Sequence, residues 1–220
     1  MITTLFFDFD GVLTTDFNTS ETVCKNLGEV LSDLSVEQAI ACYRQHCGRL
    51  LLGGTYAEIW DDFCSCIGRT ISRETLTQAL RKVPRNEEMF KLAASLRDRY
   101  RLGIITDNPQ ERFDLVQNDL QLADTFDPII VSASVHALKH DGSRTIFDAA
   151  LQGAGCKPDE AFFIDNQQRN LVTPGQMGMK TYWHDDKKND LDALYAALRE
   201  TGVEWKRWGM FESRSGGPAS

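Results

Sequence analysis

The sequence predicts an α/β fold, a mostly parallel sheet covered by helices on both faces, with a small helical insertion near its beginning. Three observations carry this. Short apolar runs of strand length recur at residues 2–7, 102–106, 129–131, 161–164 and 180–183. Segments with helical spacing of apolar residues separate them from residue 84 onward, the alternation that builds a parallel sheet. Between the first and second runs, however, lie some sixty residues with helical periodicity and no convincing strand.

The first strand is the run Ile2 to Phe7, apolar enough to be buried on both faces. Asp8 and Asp10 follow at spacing two, which puts them on one side of an extended chain, and Gly11 allows a sharp turn. Ser20 is placed to cap a helix over Glu21 to Val30, and a second helix is expected from Val36 to Cys47. Gly53-Gly54 breaks the chain, and Thr55 with Glu58 forms a capping-box signature for a helix bearing Ile59, Trp60 and Phe63. A fourth helix is expected over Arg73 to Arg81. Asn86 caps the next, which carries Met89, Phe90, Leu92, Ala93 and Leu96. After the strand ending at Thr106, Pro109 suits the first turn of a helix reaching Leu120. Further helices are expected over Thr145 to Gly153, Gln168 to Met177 and Leu191 to Leu198. The expected organisation is a core of residues 1–14 and 85–202, a helical insertion at 15–84, and a tail at 203–220. The Gly/Ser/Pro-rich end of that tail, from Ser213, is expected to be disordered.

Composition narrows the function. A net charge of −8 over 220 residues argues against nucleic acid or an anionic membrane as partner. No apolar run approaches a membrane span, and the first residues lack the features of a signal peptide, so a cytoplasmic location is expected. The six cysteines show no CxxC pair, and most fall within helical patterns. Buried, reduced thiols are therefore the expectation, with Cys64-Ser65-Cys66 as the one place where metal binding or oxidation is considered. His46, His136, His140 and His184 have no ligand spacing and are expected at the surface or as caps.

The polar residues align at strand ends. Asp8 and Asp10, Thr106 and Asp107, and Asp165 each follow an apolar run directly, and Lys139 follows the third strand by several residues. In a parallel sheet these carboxyl ends share one edge, where open α/β folds bind ligands. Paired carboxylates there suit nucleophilic and acid/base chemistry or a hard cation.

With these residues in place, the chain resembles the haloacid dehalogenase-like superfamily, in the branch with a helical cap inserted after the first strand of a Rossmann-like core. Its first motif, DxDGx(T/V), is present as Asp8-Phe9-Asp10-Gly11-Val12. Its second appears as Ile104-Ile105-Thr106-Asp107-Asn108, its third as Lys139, and its fourth as Phe162-Phe163-Ile164-Asp165-Asn166, with Asn170 and Gly178-Met179 following. The resemblance implies that Asp8 is a nucleophile forming an aspartyl-phosphate and that Asp10 is the general acid and base. It implies Mg²⁺ held by Asp8, the backbone carbonyl of Asp10, and Asp165. Thr106, Asp107 and Lys139 would face the substrate, with a helix cap as the other reading of Asp107.

The implied activity is a phosphatase acting on a small phosphorylated metabolite of the sugar phosphate or nucleotide type. A phosphomutase and a non-catalytic phospho-ligand module stand as alternatives. Dehalogenation is disfavoured because a halide leaving group needs no proton from an aspartate at the position of Asp10. Two departures from the family pattern stand out. The Lys139 loop, Lys139-His140-Asp141-Gly142-Ser143-Arg144, is longer than usual, so Arg144 competes for the cationic role; Asn166 replaces a second aspartate. Arg44, His46, Arg49 and the turn Leu50 to Gly54 either select substrate from the cap or form a solvated face. Nothing in the pattern sets an oligomeric state.

Overall fold

The structure, a computed structural model, describes residues 1–16 and 18–204. Five strands, β1 (Thr4–Phe7), β2 (Arg101–Thr106), β3 (Ile129–Val131), β4 (Ala161–Asp165) and β5 (Lys180–Trp183), form one sheet in the order β3-β2-β1-β4-β5. Every pairing is parallel. The sheet is doubly wound, and β1 lies at its centre, where the winding reverses.

Side chains along the strands alternate between two cores. Leu5, Phe7, Ile104, Phe162 and Ile164 pack into one, while Phe6, Ile105 and Phe163 pack into the other. This period of two explains why β1 is apolar throughout: both of its faces are covered. The register pairs Phe7 with Ile104 on one side and Ile164 on the other. The Asp8 N–H then donates to Ile164 O at 2.8 Å, extending the ladder to the level at which β4 ends in Asp165.

After Asp8 the chain makes a wide turn over Phe9–Leu13. Gly11 has φ +82°, and a Cβ built on it would lie 2.0 Å from Asn166 Nδ2. Conformation and packing both require glycine there.

Helices α1 (Thr19–Val30), α2 (Val36–His46), α3 (Tyr56–Cys66) and α4 (Arg73–Arg81) come next. They bury Val23, Leu27, Tyr43, Ile59, Phe63 and Leu76 in an apolar core of their own. Asn18 rather than Ser20 caps α1, accepting from Glu21 N at 3.1 Å, and α3 starts with the expected capping box. Helices α5 (Glu87–Leu96), α6 (Gln110–Asp119), the single turn α7 (Ser132–Val135), α8 (Thr145–Ala154), α9 (Val172–Met177) and α10 (Leu191–Glu200) complete the described chain. The helix expected over Gln168 to Met177 begins instead as a tight 3₁₀ turn, Gln168–Leu171. Helix α6 is where the four-helix block docks. Tyr56 N–H donates to Glu111 Oε2 at 2.6 Å, and Arg81 pairs with Asp119 at 3.2 Å.

Three further expectations are corrected. Cys42 and Cys66 form a disulfide joining α2 to α3, with Cα atoms 5.8 Å apart. Reduced thiols were the expectation because each cysteine sits in its own helical pattern; the pairing arises only from how the two helices pack. Cys24 and Cys47 are buried free thiols, pushed up to about 12 by burial. His184 is buried, not exposed, because it continues directly from β5, and its Nε2 lies 3.1 Å from Asn189 Oδ1. Asp107 does not cap α6, for Pro109 holds that position.

The expected disordered segment from Ser213 lies outside the described residues, whereas Val203 packs into the core. No helix among the described residues is long and apolar enough to cross a membrane.

Candidate active site

Two buried ion-pair clusters meet at the carboxyl end of β1. The first joins three strand ends. Lys139 Nζ lies 2.7 Å from Asp8 Oδ2 and 2.6 Å from Asp165 Oδ2, and the lysine side chain is only 1% exposed. Asp8 Oδ1 accepts from Phe9 N–H at 2.7 Å. Asp165 is held further by Gln167 N–H at 2.7 Å and by Asn170 Nδ2 at 3.1 and 3.0 Å.

Two carboxylates thus share one ammonium. Burial, and then the neighbouring Asp165 charge, hold the Asp8 carboxyl well above the usual carboxylate range, against the pull of Lys139. Burial alone would lower Lys139, but Asp165, Asp8 and Asp107 outweigh it and hold the ammonium above the ordinary lysine value. Arg144, the competing cation, is at the surface on Asp148 at 3.1 Å.

The second cluster was not foreseen. Asp10 is gripped by Arg112 of α6, with Nη2 to Oδ1 at 2.8 Å and Nη1 to Oδ2 at 3.0 Å. Asn108 Nδ2 also donates to Asp10 Oδ2 at 3.0 Å, and Thr19 Oγ1 of α1 lies 3.0 Å from the same oxygen. Arg112 is fully buried; its guanidinium also bonds Asn108 Oδ1 and lies 5.9 Å from the Phe9 ring centroid. Burial would lower Arg112, but the Asp10 carboxylate more than offsets it and holds the guanidinium above its ordinary value.

A sequence signal for Arg112 existed. It adjoins Phe113 and precedes Val116 by four, so it lies on the apolar stripe of α6, where a charged residue calls for a buried partner.

The remaining expected residues border the same space. Thr106 is buried, and its Oγ1 accepts from Asn108 Nδ2 at 2.7 Å. Asp107 Oδ1 accepts from Lys139 N–H at 3.1 Å, and Oδ2 lies 3.6 Å from His140 Nδ1. Burial raises the Asp107 carboxyl above its usual range. A cavity of about 40 Å³ is lined by Asp8, Asp10, Thr106, Asp107, Lys139 and Asn170, among others. A larger one of about 430 Å³ adjoins it, between the helical block and the core. Of the block residues singled out in the sequence, Arg44 and Leu51 line that larger cavity, whereas His46 and Arg49 do not.

The donors suit a hard divalent cation. Asp8 and Asp165 offer carboxylate oxygens around one positive group, and the buried Oδ1 of Asn170 has no hydrogen-bond partner. Among the described residues no three acidic, histidine or cysteine side chains gather as a ready metal cluster. Both carboxylate oxygens of Asp10 are engaged by Arg112.

The sequence profile of haloacid dehalogenase-like hydrolases matches residues 5–184. No curated protein matches the chain. Among solved structures, a HAD family enzyme from Bacteroides thetaiotaomicron, in complex with magnesium and inorganic phosphate, superposes with TM-score 0.71 at 21% identity. The match covers 89% of this chain and 100% of that one. A protein from Porphyromonas gingivalis, described as a predicted HAD-like family hydrolase, gives 0.67 at 22% identity, over 90% and 98% of the two chains. L-2-haloacid dehalogenase from Xanthobacter autotrophicus, with chloropropionic acid covalently bound, gives 0.65 at 14%, over 93% and 85%. At these identities the likeness is one of fold.

Proposed function

The chain belongs to the haloacid dehalogenase-like hydrolase family, and we propose that within it the protein is a Mg²⁺-dependent phosphatase for a small phosphorylated metabolite of the sugar phosphate or nucleotide type. The observation that carries this reading is the Asp8–Lys139–Asp165 cluster at the end of the central strand, with Asp10 two residues on. A dehalogenase would have no use for a second aspartate as proton donor, and the similar Bacteroides enzyme was solved with magnesium and phosphate. Both points support phosphoryl chemistry.

In this reading an Asp8 carboxylate oxygen attacks phosphorus, and the ester P–O bond breaks. Asp10 gives a proton to the leaving oxygen, then takes one from the water that cleaves the aspartyl-phosphate, releasing phosphate and restoring Asp8. Both Asp10 oxygens are engaged by Arg112, so the acid form arises when one oxygen leaves that pair and takes up a proton from solvent before the first transfer. Thr106 and Lys139 bind phosphoryl oxygens, with Asp107 fixing the Lys139 backbone beside them. Asp8, Asp165 and the Asp10 carbonyl would hold Mg²⁺, which supplies charge neutralisation for the approach of a carboxylate to a phosphate dianion.

Residues 15–84 act as a cap over a core of residues 1–14 and 85–202, a division supported by the block's separate apolar core. The test is phosphate release from p-nitrophenyl phosphate with and without Mg²⁺. Metal-dependent release that disappears in Asp8→Asn is expected. Halide release from 2-chloropropionate, with no release from any phosphate ester, would overturn the reading.

A further inference from the structure

The larger cavity constrains what the substrate carries besides its phosphoryl group. It shares Asn18, Thr19, Asp107 and Gln167 with the small cavity at Asp8. The organic part of an ester held at Asp8 therefore extends into it. Arg169, Arg44 and Asp107 are among its lining residues.

Asp107 is occupied internally, by the Lys139 N–H and by His140. Arg44 gives Nη2 to Glu21 Oε1 at 3.1 Å and points Nε towards Ser20 Oγ at 3.4 Å, leaving Nη1. Arg169 makes no hydrogen bond or ion pair with any described residue. Its backbone is nevertheless tied to the site. It belongs to the turn Gln168–Leu171, and Gln167 N–H and Asn170 Nδ2, on either side of it, both bond Asp165. An exposed guanidinium with no partner among the described residues thus stands on a turn anchored at the Asp8 cluster, and Arg44, paired with Glu21, stands on the facing helical block. A guanidinium lining the cavity without a carboxylate partner is a receptor for an anion.

We infer that the substrate is a phosphate ester whose organic part bears a second oxyanion, a carboxylate or a further phosphate, received by Arg169 with Arg44 closing from the block. This rests on the reading of Asp8 as the phosphoryl site and adds the class of substrate. Arg is suited to the task because its planar fork pairs with either oxyanion in a bidentate manner.

The probes are phenyl phosphate, para-carboxyphenyl phosphate and para-phenylene bisphosphate. Each is titrated calorimetrically into the Mg²⁺-loaded Asp8→Asn protein, which binds without turnover. Competitive inhibition of the wild type by the same three esters gives the ranking independently, should that variant fold poorly. At least one doubly anionic ester is expected to bind about tenfold more tightly than phenyl phosphate, and which one identifies the distal group. Arg169→Gln is expected to abolish that ratio, and Arg44→Gln to reduce it. Equal affinities for all three, or a preference that survives both substitutions, would overturn the proposal. Phosphate release by the wild type is scored separately: its absence would end the phosphatase reading, while the binding ratio would still decide the anion preference.

Discussion

The two ion-pair clusters beside β1 are built from the same chemistry and balanced differently. Around Lys139 two carboxylates, Asp8 and Asp165, share one cation, so one negative charge is left over. Around Arg112 a single carboxylate, Asp10, faces one cation and is further held by Asn108 and Thr19, so charge is matched. The first cluster stores the unmet charge that a divalent cation and a nucleophilic carboxylate both use. The second holds its carboxylate in a matched pair, from which an Asp10 oxygen must be released for proton transfer, and it ties α1 of the helical block to the core.

The comparison is broken most severely by Arg112→Met. Removing the cation leaves Asp10 buried without compensation, and a stability loss of about 3–5 kcal/mol is expected in urea denaturation. Adding Asp10→Asn to that variant is expected to recover much of the loss, because the uncompensated charge is gone. Lys139→Met is expected to destabilise as well, by about 3 kcal/mol, but with a different signature. Mg²⁺ should restore stability to this variant and leave Arg112→Met unchanged. Equal responses of the two variants to Mg²⁺ would contradict the difference in balance.

The pH dependence sharpens the same point. Burial and Asp165 raise the Asp8 carboxyl in the folded protein, so the folded state keeps this proton to higher pH than the unfolded chain does. Its contribution is fully present below the ordinary carboxylate range and is lost as pH rises through the raised folded value. In chelator-containing buffer, wild-type stability relative to Asp8→Asn is therefore expected to decline as pH increases over that window. The smallest effect is expected from Thr19→Val, which removes one hydroxyl from the matched cluster and costs about 1 kcal/mol.

The first cluster was legible in the sequence and the second was not. Asp8, Asp165 and Thr106 each terminate a run of buried strand residues, so parallel topology alone brings them to one edge. Lys139 follows the third strand closely enough to reach that edge, and its cationic role, with Arg144 as rival, came from the family resemblance. Asp10–Arg112 depends on a helix face packing behind the turn at Gly11, and Thr19 enters from another part of the chain. Strand-end reasoning does not reach such contacts, although the charged residue on the apolar stripe of α6 was a usable hint. The Cys42–Cys66 disulfide escaped for a similar reason: helical periodicity places each cysteine on its own helix and says nothing of how two helices pack. Strand positions and the α3 and α5 caps were readable, because periodicity and capping are local.

The central claim is that Asp8 carries the phosphoryl group during turnover. Borohydride reduction of an acid-quenched reaction with p-nitrophenyl phosphate and Mg²⁺ converts an aspartyl-phosphate to homoserine, which mass spectrometry locates in the digested protein. Homoserine at position 8 in the wild type, absent when Mg²⁺ is withheld, is the predicted result. Steady phosphate release with Asp8 unmodified under the same quench, or homoserine at another aspartate, would contradict it.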